Sequence, residues 1–308
     1  MSKITFLFGA GASRNCLPIV NEIPNRLYNL IDILKKDELQ LEHEEFKPAK
    51  KSYRELQIEL IEDIKWLFDL SNDHASVDTA AKKLFIKGDY NNLLRLKVAL
   101  SIFLIVEQIL KSPDKRYDSF FSSILGDSKS DFPKNIRVVS WNYDLQFELS
   151  FMDYINDKRL DALRSHINFI TKFDYLRDND DLQNFGIFKL NGHAGYYTNS
   201  SRWSVQDLLP SLDGDFDITK FKSLINNYAR LKYNLDGLNP SLSFAWEDQY
   251  GENNVVKKAI SNVFDTEILV VVGYSFPFFN RNIDRRIIQS MTNLKKIYLQ
   301  SPCKYQTI

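Results

Sequence analysis

The chain reads as an α/β protein, a Rossmann-like parallel sheet flanked by helices and interrupted by an all-helical insertion. Three observations predict this. An apolar run, Ile4 to Phe8, ends abruptly in Gly9-Ala10-Gly11-Ala12-Ser13, and β-branched and aromatic residues with almost no charge suit a strand covered on both faces. The same design recurs at Ile136 to Trp141, Phe185 to Leu190 and Glu267 to Val272, each run closing in small or polar residues. Between the first run and the second, a block from about Glu55 to Leu125 shows apolar residues at helical spacing and no convincing strand.

Taken in order, Gly9 and Gly11 let the backbone turn sharply and approach a ligand closely. Pro24 to Leu34 then carries apolar residues at helical spacing. A strand, a glycine turn and a helix N-terminus together suit a phosphate or pyrophosphate. Arg14 stands where the dinucleotide fingerprint has its third glycine, and no acidic residue closes an evident second strand, which disfavours an ordinary nicotinamide dehydrogenase. Lys35 to Tyr53 is rich in charge and reads as a solvated connection. The stripes Leu56, Leu60, Ile64, Leu67, Phe68 and then Leu93, Leu96, Leu100, Phe103, Leu104 read as the core of the insertion. The expected organisation is a single domain over 1–308, with 1–40 and 130–308 forming the nucleotide-binding core around an insertion at 41–129.

The second strand ends in Asn142-Tyr143-Asp144, before a helical pattern from Leu145. Polar residues there sit where open α/β sheets bind ligands, and both Asn142 and Asp144 are also good helix caps. The third ends in Asn191-Gly192-His193-Ala194-Gly195. A lone histidine in a polar loop is ordinarily exposed, whereas its place at a strand terminus makes His193 a candidate proton acceptor. Arg177 to Asp181 reads as an exposed turn, and Ser200 to Tyr250 as loops and short helices over the mouth of a site. Glu267 to Val272 is the plainest strand and ends in Gly273-Tyr274-Ser275. A helix at Asn282 to Gln289 and a last strand at Lys295 to Leu299 follow.

Composition narrows the partners. Forty basic and forty acidic side chains cancel, so net charge points neither to nucleic acid nor to a membrane surface. The most apolar stretch, Val98 to Leu110, is too short to span a bilayer and contains Glu107. A strand directly after Met1-Ser2-Lys3 leaves no room for a secretory leader, so a soluble, cytoplasmic protein is expected. Cys16 and Cys303 stand at opposite ends of the chain, which offers neither a disulfide framework nor a four-cysteine zinc site.

In this order the four strand ends, Gly9-Ala-Gly-Ala-Ser13, Trp141-Asn-Tyr-Asp144, Lys189-Leu-Asn-Gly-His193 and Val272-Gly-Tyr-Ser-Phe276, resemble the SIR2-like family, in particular the zinc-free SIR2 effector domains of bacterial anti-phage systems. The resemblance covers 1–34, 136–149, 185–196 and 267–302 and leaves out the helical block. It implies that Gly9, Ala10, Gly11 and Ser13 hold the pyrophosphate of NAD, with Pro18 near the family's proline. It implies that Gly273, Tyr274 and Ser275 close the adenosine end, and that Ser301-Pro302 follows the last strand where the family often has an Asn-Pro contact. Asn142 would orient the ribose and a water, and Asp144 would position Asn142 or stabilise positive charge. The third motif departs: Asn191 occupies the place of the family's histidine before Gly192, and His193 follows two residues later. On an extended segment such side chains point the same way, so His193 is the candidate base and Asn191 a cofactor contact.

The implied activity is hydrolysis of the nicotinamide-ribose bond of NAD+, giving nicotinamide and ADP-ribose. It implies an anti-phage effector that depletes NAD, needs no metal, and is held quiet as a homo-oligomer or by a defence-system partner protein. A non-catalytic SIR2-like module that binds NAD or ADP-ribose is the competing reading, and transfer of ADP-ribose to another acceptor a third. A deacylase is disfavoured, because its zinc ribbon needs four cysteines.

Overall fold

The computed structural model of the chain describes residues 1–128, 131–155, 163, 166–171, 185–198, 205–207, 215–248 and 254–300. The expected turn at Arg177 to Asp181, Trp203, the Ser301-Pro302 pair and Cys303 lie outside the described residues. By contacts the chain divides into two compact units. One takes in Met1–Cys16, Pro113–Gly192 and Phe244–Ile308, the other Leu17–Ser112 and His193–Ser243. The second unit overlaps the expected insertion at 41–129 without coinciding with it.

In chain order the elements used below are β1 (Ile4–Phe8), α1 (Ile23–Leu34), α2 (Tyr53–Asp73), α3 (Val77–Ile86), α4 (Tyr90–Leu110), α5 (Lys115–Ile124), β2 (Ile136–Ser140), α6 (Gln146–Ile155), β3 (Asn168–Thr171), β4 (Gly186–Lys189), β5 (Gly195–Thr198), β6 (Val205–Asp207), α7 (Ile218–Lys232), β7 (Leu238–Pro240), α8 (Asn254–Val263), β8 (Ile268–Val272), α9 (Arg281–Ser290) and β9 (Lys296–Gln300).

The first unit is built on a six-stranded sheet in the order β9-β8-β1-β2-β4-β3. Every pairing is parallel, with Ile4 beside both Ile268 and Ile136. This is the doubly wound arrangement that the four apolar runs predict. The chain leaves β1 toward β2, β4 and β3 on one side and later returns to β8 and β9 on the other. The order reverses between β1 and β8, the usual place for a ligand in such sheets, and here the loops that follow the two strands meet. Because all six strands are parallel, the four polar strand ends stand on one edge, along β8, β1, β2 and β4. Leu7, Val139, Phe188 and Val271 from the strands join Val256 and Ala259 of α8 and Ile283 and Ile287 of α9 in one core. The edge strand β9 is exposed along its length.

The second unit is helical, with a small antiparallel sheet of β6, β5 and β7. Leu27, Leu30, Ile31 and Leu34 give α1 a buried stripe, and α1 packs on α2. Ser52 caps α2 in a reciprocal box with Glu55, and Leu56, Leu60, Ile64 and Leu67 are buried as their spacing predicts. Along α4, Val98 through Gln108 is buried without interruption, so its apolar run is a core helix, with Glu107 paired to Arg26. Among the described residues no helix is long and apolar enough to cross a membrane.

Two expectations are corrected in this unit. The segment Lys35 to Tyr53 is more than a solvated connection: Leu39, Leu41 and Phe46 are buried, and Glu45–Phe46 pairs with Lys51–Ser52. The buried Gln57 fastens it, donating to the Leu34 and Leu39 carbonyls and accepting from the Leu41 N–H at 3.0 Å. Its charges alternate with apolar residues, and those decide the fold. The stretch from Ser200 to Tyr250, expected as loops and short helices, contains the fifteen-residue α7, capped by Asp217 and buried through Phe221, Leu224, Ile225 and Tyr228.

Candidate functional site

The glycine turn after β1 is shaped first by its neighbour. A Cβ on Gly9 would lie 2.6 Å from the Tyr274 side chain, and one on Gly11 2.8 Å from the Gly273 carbonyl. Gly273 itself has φ +60°, and a Cβ there would meet the Ala12 nitrogen at 2.2 Å. The Gly-x-Gly and Gly-Tyr-Ser motifs therefore interlock backbone to backbone, and this contact alone requires glycine. Ala10–Ser13 is a short 3₁₀ turn. The helix expected at Pro24 to Leu34 is α1, Ile23–Leu34, and its first residue does not follow the turn directly in sequence. Three of the turn's N–H groups are already used: Gly9 donates to Val272, Gly11 to Gly273 and Ala12 to Gly9, at 2.8–3.0 Å. A cradle of free backbone donors from Gly9 to Ser13 is thus not what this turn presents. Ser275 follows Tyr274 in the turn after β8 and is exposed.

Ser13 leads into a buried polar chain. Its hydroxyl donates to Asp144 Oδ2 at 2.8 Å. The hydroxyl of Tyr117, from α5, lies 2.9 Å from Ser13 Oγ, and Asn142 Nδ2 lies 3.3 Å from Ser13 Oγ and 3.2 Å from the Tyr117 hydroxyl. Proton counting fixes every direction. Ser13 spends its proton on the carboxylate, so Tyr117 must give its own to Ser13. Both hydroxyls then offer only lone pairs to Asn142, which must face them with its NH₂. Asn142 Oδ1 is left pointing away, buried and without a hydrogen-bond partner. A buried acceptor left in this state costs about 1–3 kcal/mol unless something donates to it.

Asp144 accepts from Ser13 and also caps the next helix, accepting the Gln146 N–H at 3.0 Å, the capping role its polarity suggests. Burial pushes its carboxyl above the ordinary carboxylate range, opposed chiefly by the nearby positive charge of Lys189. Lys189 is buried, donates to the Asp144 backbone carbonyl and pairs with Glu148 at 2.7 Å. Burial, with Asp144 adding negative charge, drives the Tyr117 hydroxyl well above its usual value, which keeps it a neutral donor.

On the neighbouring strand end, Asn191 donates from Nδ2 to the Trp141 carbonyl at 3.3 Å. A carbonyl can only accept, so this amide too is fixed, and Asn191 Oδ1 is buried without a partner. The sheet thus carries two oriented amides, at the ends of β2 and β4, each with an unmet carbonyl oxygen. Beneath them the indole of Trp141 donates to Asp284 Oδ1 at 2.9 Å and the Tyr274 hydroxyl to Asp284 Oδ2 at 2.7 Å. Asp284 on α9 thereby joins the ends of β2 and β8, and its burial raises its pKa to about 6.

His193 begins the second stretch of the helical unit. It is buried rather than exposed, and Ser241 donates to its carbonyl at 2.8 Å. Gly192 has φ +67°, so the chain from Asn191 to His193 turns. The argument that side chains two apart point the same way therefore does not apply to them. Tyr117, Asp114, Arg116 and Asp284 were missed by sequence reasoning. The first three lie inside the span expected to be insertion, and the signal available was the charged pair Asp114 and Arg116 after an apolar helical run. Among the described residues no cluster of three or more metal-ligating side chains occurs.

No protein-family profile matches the chain, and no curated protein matches it.

Proposed function

We propose that the protein hydrolyses NAD+ at the nicotinamide-ribose bond, releasing nicotinamide and ADP-ribose, and acts as an effector of anti-phage defence by depleting NAD. One observation carries this reading: Asn142 stands at the carboxyl end of a central parallel strand, its NH₂ tied to Ser13 and Tyr117 and its carbonyl oxygen buried and unpartnered. Such an acceptor suits a water or a ribose hydroxyl, both of which bring the missing donor. The Asn191 carbonyl offers a second acceptor of the same kind. The fit is to a hydroxyl-rich, carboxamide-bearing group that brings O–H and N–H donors, as the nicotinamide riboside half of NAD+ does.

The chemistry asks little acid of the protein. The pyridinium leaves as neutral nicotinamide, taking the electron pair of the C1′–N bond, through an oxocarbenium-like state. Water forms the new C1′–O bond and loses one proton. A water held by Asn142 Oδ1 is oriented before the bond breaks, which converts an encounter into a positioned attack. The Asp144 carboxylate acts through Ser13, keeping the amide turned the right way. His193 is retained as proton acceptor on the family resemblance alone.

The Asn191 departure supports a second reading, a module that binds NAD or ADP-ribose without cleaving it. Purified protein incubated with NAD+, with and without lysate of phage-infected cells, separates the two by chromatography. Equal release of nicotinamide and ADP-ribose supports the hydrolase. NAD+ that binds and survives under every condition supports the module.

A further inference from the structure

If NAD is the ligand, its two phosphates need donors, and the glycine turn has committed much of its own supply. Gly9, Gly11 and Ala12 give their N–H groups to backbone carbonyls, and the turn runs into a 3₁₀ segment of four residues rather than an α-helix. Positive charge reaches the turn from elsewhere. Arg116, in the first turn of α5, donates from Nη1 to the Gly11 carbonyl at 2.6 Å. Its Nε and Nη2 grip the two oxygens of Asp114 at 3.2 and 3.1 Å. Asp114 is itself fully buried, and the Asn15 backbone, the Asn15 side chain and the Arg116 N–H also donate to it. The carboxylate is thus shared among several donors and holds the guanidinium at one angle to the turn. A guanidinium has five N–H groups; three are used here, leaving one on each terminal nitrogen. The side chain retains 36% of its accessible surface.

We propose that Arg116 is a diphosphate-binding residue, presenting its two remaining N–H groups at the glycine turn to the phosphates of a nucleoside diphosphate. This rests on the NAD reading above. It assigns the phosphate contact to a residue of α5, outside all four strand-end motifs. A planar fork fixed by a buried carboxylate loses little freedom on gripping a phosphate, and charge-assisted bonds of this kind are the strong ones.

The test is calorimetric titration of the full chain with ADP-ribose and, separately, with adenosine, at low and high salt, for wild type, Arg116→Gln and Arg116→Lys. Arg116→Gln is expected to weaken ADP-ribose by about tenfold or more, to flatten its salt dependence, and to leave adenosine within about twofold. Arg116→Lys should fall between, as a point charge without the fork. Equal losses for adenosine and ADP-ribose would make Arg116 a mere fastener of the Gly11 turn and overturn the proposal, as would unchanged ADP-ribose binding by Arg116→Gln. Failure of the wild type to bind ADP-ribose at all would instead refute the NAD reading, and the inference with it.

Discussion

Asp284 offers the sharpest physical test of how the sheet's carboxyl edge is held. It is 4% exposed, among apolar neighbours that include Leu7, Val139, Leu269 and Ile287. Burial raises its pKa from 3.8 to about 6, against the hydrogen bonds from Tyr274 and Trp141. Between those values the folded chain keeps a proton that the unfolded chain has lost, so stability falls as pH rises from about 4 to about 6 and is flat beyond. At about 1.4 kcal/mol per pH unit, the interval is worth about 3 kcal/mol. Asp284→Asn keeps the shape. Its Oδ1 accepts from the Trp141 indole, and its Nδ2 donates to the Tyr274 hydroxyl, which can reverse its role. Urea unfolding of both proteins should therefore give nearly equal stabilities at pH 4, with the variant gaining up to about 3 kcal/mol by pH 7. All other titrating groups are common to both proteins and cancel in the difference. A difference that does not change between pH 4 and pH 7 would refute the assignment of a protonated, buried Asp284 in acid.

Lys189→Met removes the cation between Glu148 and Asp144 and leaves two buried carboxylates uncompensated; a loss of about 3–5 kcal/mol is expected in urea unfolding at pH 7. The Asp144 carboxyl would then rise further, so that loss should shrink as pH is lowered toward 4. A loss under about 1 kcal/mol at pH 7 would show the pair to be dispensable. Tyr117→Phe deletes one of the two anchors of the Asn142 amide and costs about 1–3 kcal/mol of stability. NAD+ turnover should fall by about tenfold or more while ADP-ribose binding is kept; unchanged turnover would remove Tyr117 from the positioning of Asn142.

Much of the sheet was legible because strands buried on both faces must be apolar throughout. Ile4 to Phe8 and Ile268 to Val272 have no other stable use at that length, and each ends where polarity returns. The glycines were legible as glycines but not in purpose. Sequence cannot tell a backbone that approaches a ligand from one that approaches another loop, and Gly9 and Gly11 meet Tyr274 and Gly273. Asn142 and Asp144 announced themselves by polarity at a strand end. Tyr117 did not, because an aromatic residue at helical spacing reads as core; its hydroxyl matters only once folding brings it to Ser13, 104 positions away. The helix α7 was readable, since Phe221, Leu224, Ile225 and Tyr228 have helical spacing after Asp217, and the scattered tryptophans and prolines around it drew attention from the period. For His193, the turn at Gly192 decides the geometry, and glycine in sequence does not reveal the sign of its φ.

In the proposed reaction Asn142, aligned by Ser13, Tyr117 and Asp144, holds the water that cleaves NAD+. Comparing wild type with Asn142→Ala in a single-turnover assay of nicotinamide release, alongside calorimetric binding of ADP-ribose and a thermal melt, tests it most directly. Nicotinamide and ADP-ribose are expected in equal amounts from the wild type. From Asn142→Ala, release is expected to fall by at least about a thousandfold, with the fold and ADP-ribose binding retained. Undiminished release by the folded variant would contradict it.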